Sequence, residues 1–122
     1  MNKKNVLIID DDPSVIQILS NILRPHYRVQ AATRGLQGMA IAASPPPPDL
    51  ILLDVLMPGL DGYEICAELQ ALPETRNIPV GFVTGNASPD EMQRGRELGG
   101  KFYLTKPLKP EEVLSRVQAL IG

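Results

Sequence analysis

A chain of 122 residues with 43% hydrophobic and 21% charged residues has the size and composition of one folded domain, which excludes an intrinsically disordered protein. A formal net charge of −2 argues against a surface for nucleic acid, and the N-terminal apolar run is too short for a signal peptide or a membrane span. The single cysteine excludes an internal disulfide and fits a reducing compartment. We therefore expect one cytoplasmic domain over residues 1–122, with neither nucleic acid nor a membrane as a direct partner.

Two hydrophobic patterns alternate along the chain, and each predicts a different kind of element. Continuous apolar runs predict strands covered on both faces, whereas alternation of apolar and polar residues predicts an edge strand. Apolar residues at helical spacing predict amphipathic helices, with Pro13 and Pro110 in the first turns of two of them. In chain order we predict strands at 6–9, 27–31 (the edge type), 50–53, 78–83 and 102–104, with a helix after each, including helices at 15–23, 89–98 and 113–121.

A strand–helix unit repeated five times predicts an α/β fold. We expect a parallel sheet with helices on both faces and right-handed crossovers, as in a flavodoxin-like doubly wound (βα)5 domain. The edge pattern of the second strand favours the strand order 2-1-3-4-5. In that order the first and third strands are neighbours, and such sheets bind their ligands beyond the carboxyl ends of these strands.

Polar side chains with distinct chemistry follow these predicted strands. The first strand ends in Asp10–Asp12, the third in Asp54 and the fourth in Thr84, and the fifth leads into Lys106–Pro107. In the predicted topology all of these residues lie at one edge of the sheet. Clustered carboxylates repel one another unless a cation lies among them, and hard oxygen ligands suit Mg²⁺.

The charges of this edge also predict a reaction. Asp10, Asp11 and Asp54 contribute −3, whereas a divalent metal and Lys106 contribute +3. With that balance the Asp54 carboxylate can attack phosphorus, because the metal and the ammonium neutralise charge on the phosphoryl oxygens. Lys106 and the Thr84 hydroxyl are suitable groups to bind those oxygens.

Four segments, IIDDDPS, LILLDVLMPGLDGYE, VTGN and FYLTKP, occur in this order over nearly the whole chain and resemble the receiver domain of two-component response regulators. The resemblance implies that Asp54 is the phospho-acceptor and that the donor is the phosphohistidine of a sensor histidine kinase or phosphotransfer protein. It also implies that Asp10, Asp11, Asp54 and the backbone carbonyl of Leu56 bind Mg²⁺, for which Mn²⁺ could substitute.

The resemblance further implies a switch in the fourth and fifth strands. Thr84 and Lys106 would bind the phosphoryl group, and the Lys106–Pro107 peptide bond would be cis. Thr84 would move toward the phosphoryl group, and Tyr103 would turn inward to fill the space that it leaves. The face made by the fourth helix, fifth strand and fifth helix would then control a downstream protein, a fused output domain or a dimer.

Some residues depart from the commonest receiver pattern. We expect Gly81, Gly85 and Gly100–Lys101 to loosen the fourth strand and its loop. Leu56 and Asn86 lie two residues after Asp54 and Thr84, at positions that in the family influence how water reaches the acyl phosphate. Our hypothesis is that the apolar Leu56 prolongs the life of the phosphorylated form.

Two alternatives compete with this interpretation. DDDPS after an apolar strand also resembles the DxDx[ST] loop of haloacid-dehalogenase-type phosphatases, in which Asp10 would be the nucleophile and Asp12 the general acid. That class expects an acidic motif at the fourth strand and leaves Asp54 and Lys106 without a role, and Asp12 before Pro13 is more simply a helix cap. The second alternative is a docking module that no longer accepts phosphate, against which the intact set of polar residues argues.

Overall fold

The computed structural model describes residues 3–85 and 88–122. Within these residues five strands and five helices alternate along the chain. The strands are β1 (Asn5–Ile9), β2 (Arg28–Ala32), β3 (Leu50–Asp54), β4 (Val80–Thr84) and β5 (Gly100–Thr105). The helices are α1 (Pro13–Leu23), α2 (Gly35–Ala43), α3 (Gly62–Ala71), α4 (Pro89–Glu97) and α5 (Pro110–Ile121).

The five strands form one parallel sheet in the order β2-β1-β3-β4-β5. This order confirms the predicted fold class, with β1 next to β3 and β2 at one edge. Several predicted boundaries were wrong by one to three residues; for example, β5 spans Gly100–Thr105 instead of 102–104. Tyr27 still donates its backbone N–H to Leu23 at the end of α1, and Ile78 donates its own to Thr75, so both belong to turns that precede β2 and β4.

The sheet separates two hydrophobic cores. The first, called here the α1–α5 core, is made of side chains from α1, α5 and one face of the sheet, among them Leu19, Leu52 and Val117. The second, called the α2–α3 core, includes Ala42, Ile65 and other residues of α2, α3 and the opposite face. All five residues of β3 and of β4 are buried, as expected for central parallel strands.

The helix α4 buries fewer side chains than the other helices, so burial stabilises it less. Gly95 is its one buried residue, and Met92 and Leu98 pack against the α2–α3 core while partly exposed. The helix begins at the N-cap Ser88, whose hydroxyl accepts the backbone N–H of Glu91. These features agree with the thin apolar content of this segment in the sequence.

Gly81 does not leave a gap in β4. A Cβ atom at this position would lie 2.4 Å from the ring of Phe102 on the neighbouring strand, so the aromatic ring occupies the space that a side chain would take. The expected loosening of the strand is therefore offset by an inward-packed Phe102, which is 8% exposed. In the described part of the chain, no helix has the length and apolar character needed to cross a membrane.

Candidate functional site

The polar residues that follow the strands lie together at the carboxyl edge of the sheet. Asp54 and Thr84 are the last residues of β3 and β4, whereas Asp10 and Lys106 come directly after β1 and β5. The registers that pair Ile9 with Leu53, Asp54 with Val83 and Thr84 with Thr105 bring these four strand ends to one level. The parallel order of the strands thus accounts for the convergence of residues far apart in the chain.

Three carboxylates form a compact cluster at this edge. Asp10, Asp11 and Asp54 each place one oxygen so that these atoms lie within 4.8 Å of one another. Asp10 is 1% exposed and Asp54 is 4% exposed, whereas Asp11 faces solvent. Such a set of hard oxygen donors, two buried and one accessible, fits a divalent cation of the Mg²⁺ type.

Lys106 supplies the positive charge of the cluster. Its Nζ lies 3.6 Å from Oδ1 of Asp54 and 3.8 Å from Oδ2 of Asp10. The backbone N–H of Lys106 donates to the carbonyl of Thr84 over 2.8 Å, and the Lys106–Pro107 peptide bond is cis. The backbone hydrogen bond places Lys106 at the end of β4, within side-chain reach of both buried carboxylates.

Burial makes the charged form of these carboxylates costly. Desolvation, followed by the negative charge of Asp10, raises the pKa of Asp54 to about 6, although Lys106 and the backbone N–H of Leu56 act in the opposite direction. Desolvation also raises the pKa of Asp10, against a hydrogen bond from the backbone N–H of Asp12 and the charge of Lys106. Among the described residues, Oδ2 of Asp10 is buried and has no hydrogen-bond partner. A buried oxygen of this kind is available to coordinate a cation.

The loop after Asp54 is anchored at both ends. Val55 donates its backbone N–H to Val83, and Gly62 donates its own to Val55 over 2.8 Å. Gly62 lies so close to β3 that a Cβ atom on it would be 2.2 Å from the carbonyl oxygen of Asp54. Asp61 then caps α3 through a complete capping box with Glu64. Between these anchors the side chain of Leu56 is 72% exposed, next to the acidic cluster in sequence.

The two residues of the predicted switch are both buried. Thr84 is 2% exposed at the end of β4, and Tyr103 is 8% exposed in β5. The hydroxyl of Tyr103 donates to the carbonyl of Glu91 over 2.6 Å and lies 3.0 Å from the hydroxyl of Tyr63. Tyr103 therefore points inward in this structure, under α4.

Sequence reasoning missed Tyr63, and it missed the contribution of Gly95. Tyr63 and its partner Tyr103 are 40 positions apart in the chain, and no local sequence pattern indicates that they are in contact. A weak signal was available, because Tyr63 stands in the first turn of the helix that follows the Asp54 loop. Asn86, to which we assigned an influence on water, lies outside the described residues.

Asp12 takes the position of a helix cap. It is exposed, and its Oδ1 accepts the backbone N–H of Ser14 over 2.9 Å at the start of α1. This hydrogen bond gives Asp12 a structural role that does not require it to be the general acid of a phosphatase.

Comparison with known proteins matches the chain to one family. The family model of the response regulator receiver domain matches residues 6–118. The DNA-binding dual master transcriptional regulator RpaA of Synechocystis is 40% identical over 117 residues, which cover 95% of this chain and 48% of RpaA. Protein PilH of Pseudomonas aeruginosa is 35% identical over 118 residues, which cover 96% of this chain and 97% of PilH.

The fold agrees with the same family. The structure of the chemotaxis protein CheY4 of Vibrio cholerae superposes with a TM-score of 0.90 at 30% sequence identity, covering 97% of this chain and 98% of that one. Several curated relatives are much longer than this chain, which spans about a quarter to a half of their length. These findings do not favour the phosphatase alternative.

Proposed function

The chain belongs to the receiver-domain family of two-component response regulators, and on this premise we propose that Asp54 accepts a phosphoryl group from the phosphohistidine of a sensor histidine kinase or phosphotransfer protein. The observation that carries this assignment is the meeting of the Asp10, Asp11 and Asp54 carboxylates beside the Lys106 ammonium. Asp54 is the member of this cluster that ends a central strand and has Lys106 nearest to it. We extend the proposal to residues 1–122 as one receiver domain in the cytoplasm.

Receiver domains bind Mg²⁺ at an acidic pocket, and the donor set of this chain fits that ion. Asp10, Asp11, Asp54 and the backbone carbonyl of Leu56 would hold it, and Mn²⁺, which takes the same oxygen ligands, would substitute. When bound, the ion supplies positive charge that stabilises the oxygens of the transferring phosphoryl group.

The remaining chemistry falls to the side chains of the protein. An Asp54 oxygen attacks phosphorus, a new O–P bond forms, the N–P bond of the donor breaks, and its electron pair stays on the imidazole nitrogen. The Lys106 ammonium and the Thr84 hydroxyl would bind phosphoryl oxygens as charge develops on them. In this scheme the domain is an acceptor that assists its own phosphotransfer and dephosphorylation, with no turnover of an external substrate.

The output of this domain would be read from the α4–β5–α5 face. Phosphorylation would draw Thr84 toward the phosphoryl group and favour the inward position of Tyr103, which biases two existing conformations of this face. The partner would be a downstream protein, a fused output domain or a second receiver in a dimer. The much longer curated relatives, one of which is named a DNA-binding transcriptional regulator, support an output outside the receiver fold.

Phosphorylation by a small phosphodonor tests the proposed acceptor. Incubation with acetyl phosphate and Mg²⁺ should add one acid-stable, base-labile phosphoryl group to the protein, as read by intact mass. Asp54→Asn should abolish the addition and Asp10→Asn should reduce it strongly, whereas Asp90→Asn, an exposed carboxylate in the first turn of α4, should leave it unchanged.

The same assay separates the two alternatives. A phosphatase of the haloacid-dehalogenase type would release phosphate with repeated turnover, would depend on Asp10 and Asp12, and would tolerate Asp54→Asn. A pure docking module would take up no phosphate with any variant. Either result would overturn the assignment of Asp54.

A further inference from the structure

Three oxygen atoms meet beneath α4, away from the carboxylate cluster. The Tyr103 hydroxyl donates to the Glu91 carbonyl over 2.6 Å, and the Tyr63 hydroxyl lies 3.0 Å from Tyr103 and 3.2 Å from the same carbonyl. Two hydroxyl protons and one carbonyl oxygen satisfy this triangle when Tyr103 donates to Glu91 and Tyr63 donates to Tyr103. The inward orientation of Tyr103 is thus held by a residue of α3 as well as by α4.

The space for the Tyr103 hydroxyl exists because residue 95 is glycine. A Cβ atom on Gly95 would lie 1.9 Å from the hydroxyl oxygen of Tyr103 and 2.7 Å from its Cζ atom. Glycine in a helix interior weakens the helix relative to alanine, so this residue needs a packing reason. The reason here is that Tyr103 inserts against the backbone of α4 at this position.

Tyr63 is held by contacts with three parts of the protein. Its ring lies 5.1 Å from that of Phe82, and the guanidinium of Arg94 in α4 lies 4.5 Å above it. Its backbone follows Gly62, which is in close contact with the Asp54 carbonyl. Tyr63 therefore connects the loop that follows Asp54 to the underside of α4.

We propose that Tyr63 is a positioning residue for Tyr103, and that its hydroxyl together with the opening at Gly95 holds Tyr103 inward in the unphosphorylated protein. If the proposed function holds, on which this consequence rests, the conformation of the α4–β5–α5 face depends on contacts from α3 in addition to Thr84. A single net hydrogen bond corresponds to a population change of about three- to tenfold. Loss of the Tyr63 hydroxyl should therefore increase the outward population of Tyr103 by that factor.

Fluorine NMR on protein labelled with 3-fluorotyrosine can follow Tyr103 directly, because the chain has only three tyrosines. In Tyr63→Phe the Tyr103 resonance should move toward the position of a solvent-exposed ring and become sensitive to a soluble paramagnetic agent. The matched control is Tyr27→Phe, since Tyr27 lies in the α1–α5 core and its buried hydroxyl has no hydrogen-bond partner within the described residues. A Tyr103 resonance that stays in place in Tyr63→Phe would overturn the proposal.

A second variant tests the opening under α4. Gly95→Ala should displace Tyr103 from its inward position while leaving α4 helical, as judged by circular dichroism and by the same resonance. Gln93→Ala, an exposed residue of the same helix, should leave the Tyr103 signal unchanged. If Tyr103 remains protected from the paramagnetic agent in Gly95→Ala, the role assigned to Gly95 is wrong.

A kinetic readout distinguishes positioning from simple packing. With acetyl phosphate, Tyr63→Phe should be phosphorylated more slowly than the parent, by at most about tenfold, because the inward fraction of Tyr103 cannot fall by more than its inward-to-outward ratio does. Its affinity for Mg²⁺ should be unchanged. An unchanged rate with a displaced Tyr103 would refute the coupling to the acceptor site. Failure of the parent protein to be phosphorylated at Asp54 would instead refute the proposed function, and the fluorine spectra would still decide how Tyr103 is held.

Discussion

The α1–α5 core and the acidic edge of the sheet are built from the same side of the same two strands. In β1 the side chains of Val6 and Ile8 enter the α1–α5 core, and the next residue of that row is Asp10. In β3, Leu50 and Leu52 are followed in the same way by Asp54. The four aliphatic residues of these rows stabilise the fold by their burial, whereas the residue that follows in each row, Asp10 or Asp54, is a buried carboxylate.

This contrast shows that burial alone does not identify the side chains that stabilise the domain. The aliphatic residues gain free energy by leaving water, whereas Asp10 and Asp54 lose hydration and face each other. The rigid core imposes the arrangement that the carboxylates would not adopt by themselves. Substitutions in the two regions should therefore change stability with opposite signs, and each experiment below tests or refines this contrast.

The largest expected effect is in the α1–α5 core. Leu19 is fully buried between α1 and the sheet, so Leu19→Ala should lower the free energy of unfolding by about 3 kcal/mol through lost burial and an unfilled cavity. Urea denaturation followed by circular dichroism measures the change. Ile18→Ala, next to it in α1 but 47% exposed, should cost much less, and equal losses for the two variants would contradict the described packing.

Asp54→Asn should have the opposite sign. Because the pKa of Asp54 in the folded protein is about 6 against 3.8 normally, the folded state binds the proton more tightly than the unfolded chain. Stability should fall as pH rises from about 4 to about 6, and the full cost, of the order of 3 kcal/mol, should be present at pH 7.

Measured without divalent metal, Asp54→Asn should therefore be more stable than the parent at pH 7, by about 1–3 kcal/mol, because the amide carries no charge. The difference should disappear below about pH 3, where the carboxyl is protonated in both states. A variant that is less stable than the parent at pH 7, or a difference independent of pH, would remove the basis for the contrast.

Divalent metal should offset part of the destabilisation that the buried carboxylates cause, so that the parent protein approaches Asp54→Asn in stability. Mg²⁺ at tenfold excess over its dissociation constant should stabilise the parent protein by about 1.4 kcal/mol, because it binds the folded carboxylate cluster. Chelation should reverse the gain. In Asp54→Asn the same addition of Mg²⁺ should raise the unfolding midpoint much less. Equal stabilisation of both proteins would mean that the ion binds outside the carboxylate cluster.

The smallest effect should come from Leu56, an apolar residue of the acidic edge that is not buried. Since its side chain is 72% exposed, Leu56→Asn should leave the free energy of unfolding nearly unchanged. It should accelerate the loss of phosphate from phosphorylated Asp54 by about threefold, a difference of roughly 0.6 kcal/mol in barrier height. Release of radiolabelled phosphate gives the rate, and unchanged kinetics would end the hypothesis of a shielding leucine.

Much of the fold could be predicted from the sequence because its determinants are local. The apolar runs at Leu50–Leu53 and Ile78–Val83 indicated central strands, and the alternation after His26 indicated the edge strand. The polar residues Asp10, Asp54, Thr84 and Lys106 were identified by one rule, that parallel strands present their carboxyl ends together. The structure brings all four to the same edge.

The contacts that were missed join distant segments. Tyr63 and Tyr103 meet only because α3 and α4 cover the same face of the sheet, and neither has a neighbour in sequence that indicates a partner. Gly95 received no role from the sequence, since the ring that fills its space comes from β5. Gly81 was judged a weak point for a similar reason, although the ring of Phe102 fills its place.

The close approach of Gly62 to Asp54 limits where this domain can deform. With 2.2 Å between the carbonyl oxygen of Asp54 and any added Cβ, the first turn of α3 is seated directly on the strand that carries the acceptor. The backbone hydrogen bond from Gly62 to Val55 also ties this turn to the loop that follows Asp54. Under the proposed function, a rearrangement that begins at Asp54 would therefore run toward β4 and α4, and a methyl group in place of one hydrogen atom at residue 62 would disturb this seating.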